Sequence, residues 1–206
     1  MFDENIKHLE MLKKHLLNFD IVLASGSPRR QHFFKELDID FKIDVREIKE
    51  VFPKHLKAQE ITNYLAQLKA TAFKEIKENQ IVITSDTIVW KDNRAIGKPK
   101  DKQDAIQMLQ GLSGETHSVF TSVCFTTKDS QQTVYDCTKV QFKELTIGEI
   151  EYYLETCKPY DKAGSYGIQD WLGYIGIEKI EGCFFNVMGL PTRLVYKTLL
   201  EIANSK

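Results

Sequence analysis

Apolar positions in this chain follow two rhythms, a three-to-four-residue spacing and short unbroken runs, and the two alternate. Ile6, Leu9, Leu12 and Leu16, with Lys13, Lys14 and His15 between them, predict an amphipathic helix over 5–17. Ile21-Val22-Leu23-Ala24 reads as a buried strand, followed by the turn Ser25-Gly26-Ser27-Pro28. Ser27 can cap a helix there with Pro28 at its first position, and Phe33, Phe34 and Leu37 supply its buried side. A second strand is expected over 41–45. Ile61, Leu65, Leu68, Ala72 and Ile76 predict a longer helix over 58–78.

Ile81-Val82-Ile83 is a third strand, expected to end at Thr84-Ser85-Asp86 and to resume beyond a bend at Ile88-Val89-Trp90. Asp101 and Asp104 open a helix through Met108 and Leu109, with Gly111 at its C-terminal end. Strands over 117–125 and 133–142 flank the turn Lys128-Asp129-Ser130. Thr146 and Glu149 form a capping-box pattern for a helix through Tyr152, Tyr153 and Leu154. Short strands near 174–178 and 183–187 precede a last helix that opens at Pro191. This alternation predicts an α/β fold in one unit, with two lobes around a cleft.

Composition narrows the functional classes. The 206 residues carry 28 basic and 29 acidic side chains, a net charge of −1. A broad electrostatic grip on nucleic acid or an anionic membrane is not indicated. No run of about 18 apolar residues is present, and Met1-Phe2-Asp3-Glu4 is acidic, so neither a membrane span nor a secretory signal is expected. Cys124, Cys137, Cys157 and Cys183 form no CxxC pair, which argues against structural zinc and for a reducing, cytoplasmic setting.

Chemistry concentrates in a few places. In Ser25-Gly26-Ser27-Pro28-Arg29-Arg30 a strand runs into a helix start, whose free N–H groups attract anions. Arg29 and Arg30 sit where the helix dipole disfavours cations by about 0.3–1 kcal/mol each. A phosphate would offset that; pairing with Glu36 or Asp38, or plain solvation, accounts for the same spacing. Asp86 in Ser85-Asp86-Thr87 suits a base or metal ligand, or a turn aspartate bonded to backbone. Lys69, at the edge of an apolar stripe, either reaches a cleft or snorkels to solvent. Lys98 stands on the loop Ala95-Ile96-Gly97-Lys98-Pro99, and no Walker-type phosphate loop occurs in the chain. Glu47 and Glu50 could join Asp86 at a cation or belong to a solvated face with Lys49. His117 and the tyrosines read as structural.

Taken together, Ser25-Gly26-Ser27-Pro28-Arg29-Arg30, Ser85-Asp86-Thr87, Gly97-Lys98-Pro99, Leu112-Ser113-Gly114, Asp161-Lys162-Ala163-Gly164 and Gly189-Leu190-Pro191 stand in the order typical of Maf-like proteins. The chain resembles these nucleotide pyrophosphatases from about Ile21 to Leu200. The resemblance implies an inosine triphosphatase-like α/β fold with an elongated mixed sheet flanked by helices. On that basis 1–20 is a helical extension and 21–206 a single domain. It also implies a cytoplasmic, homodimeric house-cleaning enzyme that splits nucleoside triphosphates into monophosphate and pyrophosphate with a divalent cation, Mg²⁺ or Mn²⁺. By motif position Asp86 is the proton acceptor, Ser25, Arg29, Arg30, Lys69 and Lys98 bind phosphate, and Asp86 and Glu50 hold the metal. Thr87 and the run Tyr166-Gly167-Ile168-Gln169 match the branch acting on dTTP and UTP, with Arg29, Thr87 and Gln169 as specificity residues. An amide such as Gln169 suits the O4 and N3–H edge of thymine or uracil. Lys49 stands where the family often has a second acid, and Asp170-Trp171 follows Gln169 where a glycine is usual. A nucleotide-binding regulator without turnover is the competing reading; the presence of Asp86 favours the enzyme, because binding alone needs no base.

Overall fold

The buried runs pair into one sheet. The computed structural model describes residues 13–205, so most of the expected first helix lies outside the described residues; its Leu16 is buried in the core. The strands are β1 (Asp20–Leu23), β2 (Lys42–Ile43), β3 (Gln80–Lys91), β4 (Arg94–Ile96), β5 (Thr116–Thr126), β6 (Gln131–Phe142) and β7 (Ile177–Glu181). They form a mixed sheet in the order β2-β1-β3-β5-β6-β7, with β4 hairpinned onto β3. β1 runs parallel to β2 and β3, and the remaining pairs are antiparallel. The helices are α1 (Pro28–Glu36), α2 (Gln59–Ala70), α3 (Lys102–Leu112), α4 (Ile147–Cys157), α5 (Trp171–Gly176), α6 (Phe184–Val187) and α7 (Thr192–Asn204).

Local signals account for the helix starts. Asp101 accepts from the Asp104 amide at 2.8 Å to open α3, and Thr146 with Glu149 completes a capping box at α4. Pro28 occupies the first turn of α1, although the Ser27 side chain makes no cap bond. α3 runs one residue past Gly111, to Leu112.

Three expectations are corrected. α2 stops at Ala70 rather than near 78, where the Thr71 hydroxyl donates to the Leu68 carbonyl; Ala72 and Ile76 pack from the following loop against Val22, Phe73 and Val82. β3 has no bend at Asp86, because its residues Val82–Trp90 pair continuously with β5, Asp86 opposite Ser122. The segment 184–187 is the helix α6 and not a strand; its Asn186 is buried, with the side chain bonded to the Val119 carbonyl and to Thr138. The neighbouring strand, β7, begins only at Ile177.

Two apolar clusters sit at opposite ends of β3 and β5. One gathers Ile83, Val123 and Phe125 with Phe34 of α1 and Leu199 of α7. The other gathers Val89 and Val119 with Leu109 of α3 and Tyr153 of α4. Each fully buried large side chain contributes about 1.5–3 kcal/mol. Between the clusters both strands turn polar, at Thr84–Thr87 and Thr121–Ser122. Of that polar band, Ser85, Asp86 and Thr87 line the cleft.

Candidate active site

The open edge of β3 organises the site. β1 pairs with residues 80–83 and β4 with residues 89–91, leaving the stretch between them without a strand partner on that side. A bare strand edge presents unpaired carbonyls, and here cations fill it. The Ser85 carbonyl accepts from Arg30 Nη1 at 3.2 Å and from Lys69 Nζ at 3.3 Å. Strand alternation sends Asp86 to the face covered by α2, the face that also holds Thr84, bonded to the Ala66 carbonyl. Lys69, in the last turn of α2, donates to Asp86 Oδ1 at 2.7 Å and pairs with Glu50 at 3.3 Å.

Asp86 is 7% exposed. Burial pushes its carboxyl above the usual range, while Lys69 and then Arg30 oppose the shift by favouring the charged form. Arg30 is held by four acceptors. Its Nε donates to the Gly189 carbonyl at 2.8 Å, Nη1 to Ser25 Oγ at 3.3 Å as well as to Ser85, and Nη2 to Thr87 Oγ1 at 3.0 Å. Desolvation lowers its pKa to about 10, still far above neutrality. The backbone of Gly189 has φ +106°, a conformation that favours glycine, and it brings the Gly189 carbonyl onto Arg30.

Arg29 reaches the opposite wall rather than its own helix, donating to the Met188 carbonyl at 3.2 Å and pairing with Asp161 at 3.4 Å. Glu36 and Asp38, its local alternatives, pair with His32 and Lys13 instead. Two cavities open here, of about 850 and 490 Å³. They share Arg29, Arg30, Glu50, Lys69 and Lys98, so they are two halves of one cleft. The larger half holds Ser25 and the Glu47–Glu50 loop. The smaller holds Asp86 and Thr87 with apolar walls from Val89, Val119, Tyr166 and Met188.

The fold therefore brings together Ser25, Arg29, Arg30, Glu50, Lys69, Asp86, Thr87 and Lys98. It does not bring Gln169 to the cavity lining. The Gln169 amide donates to Asp170 Oδ1 at 3.1 Å, and Asp170 in turn accepts from the Tyr153 hydroxyl at 2.9 Å. Lys162 went unremarked in the sequence except as part of a motif. It lines the smaller cavity, paired with Asp161 at 2.9 Å, and its motif was the only available signal. The turn that carries it needs Gly164, at φ +68°, where a Cβ would meet Val89 at 3.0 Å. His117 is buried and bonded to the Tyr166 hydroxyl at 2.7 Å, a structural pair behind the cavity wall.

Asp86 and Glu50 are both oxygen donors and already converge on one cation, the Lys69 ammonium. No cluster of three His, Cys, Asp or Glu exists among the described residues. Two carboxylates completed by substrate phosphates fit a hard divalent ion such as Mg²⁺.

A family model described as Maf-like protein matches residues 20–202. A dTTP/UTP pyrophosphatase of Christiangramia forsetii is 58% identical over 95% of this chain and 100% of its own length. One from Flavobacterium johnsoniae is 56% identical over 93% and 100%, and one from Phocaeicola vulgatus 46% over 92% and 99%. The solved structure of a HAM1 protein from Coxiella burnetii shares the fold at TM-score 0.50 and 14% identity, covering 89% of this chain and 99% of its own. No described helix is long and apolar enough to cross a membrane.

Proposed function

This chain belongs to the Maf-like proteins, and from that premise we propose that it hydrolyses dTTP and UTP to the monophosphate and pyrophosphate. The observation that carries the reading is one buried carboxylate, Asp86, in a cleft half lined by Arg29, Arg30, Lys69, Lys98 and Lys162. A cleft that only bound an anion would gain nothing from a buried acid.

In this mechanism Asp86 accepts the proton of a water attacking the α-phosphorus, a role worth about 10²–10⁴-fold. Burial raises its basicity, and Lys69 opposes that shift by favouring the charged form. Arg29, Lys98 and Lys162 neutralise the pyrophosphate leaving group, with Arg29 suited to bidentate contacts. Ser25 Oγ accepts from the Ser27 amide at 3.3 Å and from Arg30 at 3.3 Å. Its own proton is therefore free to be donated to a phosphate oxygen. A divalent cation, Mg²⁺ or Mn²⁺, would be held by Asp86 and Glu50 and would supply charge neutralisation at the phosphates. The nucleoside is assigned to the smaller, apolar-walled half.

Incubating the protein with dTTP and Mg²⁺ should yield dTMP and pyrophosphate in equal amounts. Asp86→Asn should keep its circular dichroism spectrum and lose at least about 10²-fold in kcat. A folded Asp86→Asn enzyme with near-wild-type turnover would remove the base from the mechanism.

A further inference from the structure

A chain of hydrogen bonds leads from the cleft into the core, and counting protons gives it a direction. Arg30 Nη2 donates to Thr87 Oγ1 at 3.0 Å. Thr87 Oγ1 lies 3.0 Å from Thr121 Oγ1, its cross-strand partner on β5. Thr121 Oγ1 in turn lies 3.0 Å from the Asn186 carbonyl. A carbonyl only accepts and a hydroxyl has one proton, so the Thr121 proton goes to Asn186. The proton between the two threonines must then come from Thr87.

Thr121 is fully buried, with no water to substitute as a partner, so reversing the chain would leave the Asn186 carbonyl without this bond. The carbonyl is itself fixed, since the Asn186 side chain donates to the Val119 carbonyl and to Thr138 Oγ1, each at 3.0 Å. Thr87 thus reaches the nucleoside half of the cleft with its proton spent inward and one lone pair left over. It is an acceptor only. Of the pyrimidine bases, thymine and uracil present a donor at N3, whereas cytosine presents an acceptor there.

We propose that Thr121 is a positioning residue for base selection, which orients the Thr87 hydroxyl so that it accepts from the N3–H of thymine or uracil and refuses cytosine. This rests on the pyrimidine triphosphatase reading above. The selection is built by Thr121 and Asn186, neither of which needs to touch the substrate.

The test compares kcat/KM for UTP and CTP in wild type, Thr121→Val and Thr121→Ser. Valine removes the inward acceptor and frees the Thr87 proton for the cleft, so the CTP-to-UTP ratio should rise about tenfold, the equivalent of one ordinary hydrogen bond. Serine keeps the hydroxyl and should hold the ratio near wild type. Equal losses on both nucleotides with an unchanged ratio would assign Thr121 to stability alone and overturn the proposal. If the valine variant does not fold, Thr87→Val reads the same ratio: loss of the acceptor should narrow the UTP preference about tenfold, and an unmoved ratio overturns it. A wild-type protein inactive on UTP removes the functional reading, and this inference with it; an active one whose ratio does not respond sinks this inference alone.

Discussion

Asp86 and Lys69 form one unit, and each explains the other's setting. A carboxylate this buried favours its neutral form, and the ammonium 2.7 Å away restores part of its charge. Removing the cation leaves desolvation unopposed except by Arg30. Lys69→Met should therefore move the acidic limb of the kcat/KM–pH profile toward higher pH, because Asp86 must lose its proton before it can act. At pH 7 activity should fall at least about tenfold, with Lys69→Arg retaining more. An acidic limb that stays in place would show that Asp86 does not depend on Lys69. In the sequence Lys69 reads as a snorkelling side chain, because that is the commoner use of a lysine at the edge of an apolar stripe. Only the open edge of β3, which no pattern within α2 encodes, reveals which use applies.

Elements carry the site by where they end. β1 stops at Leu23, and that stop exposes the Ser85 carbonyl to Arg30 and Lys69. α1 begins there with no acidic residue in its first turn, so Arg29 and Arg30 find acceptors across the cleft instead. Helix α4 stands away from this chemistry, and its start rests on the Thr146–Glu149 capping box. Thr146→Ala should destabilise the protein by about 1 kcal/mol in urea titrations while leaving kcat on dTTP within twofold of wild type. A loss of turnover at full occupancy would mean that α4 couples to the cleft. Caps of this kind were legible in the sequence because donor and acceptor lie within one turn. The continuity of β3 was not, since the register with β5 that holds Asp86 in a straight strand involves residues more than thirty positions away. Likewise α6 read as a strand from its apolar residues, yet it is helical, with Asn186 buried and its side chain bonded to β5 and β6.

At the scale of the whole molecule, two apolar clusters share one sheet and a polar band separates them. His117 belongs to this packing. It is 2% exposed, and burial, aided by Lys91, lowers its pKa from 6.5 to about 4. A histidine whose folded pKa is depressed stabilises the fold above its unfolded value, and that stability is lost as pH falls through the folded value. Between about pH 6.5 and pH 4 the native state should lose on the order of 3 kcal/mol from this group. Urea unfolding at pH 7 and pH 4.5 measures it, and His117→Gln should show a smaller difference between the two pH values than wild type. An equal difference would place the acid sensitivity in the carboxylates.

The amino-acid order alone determined what is local. It set the alternation of strands and helices, the caps at Asp101 and Thr146, and the motifs carrying Ser25, Arg29, Arg30, Asp86 and Lys98, because each depends on neighbours within a turn or a strand. The tertiary structure alone decided which of these groups meet. It set Asp86 against Lys69, turned Arg29 to Asp161, and closed the Arg30–Thr87–Thr121–Asn186 chain. Those contacts span distant parts of the sequence, and their geometry exists only once strand register and helix packing have brought the parts together.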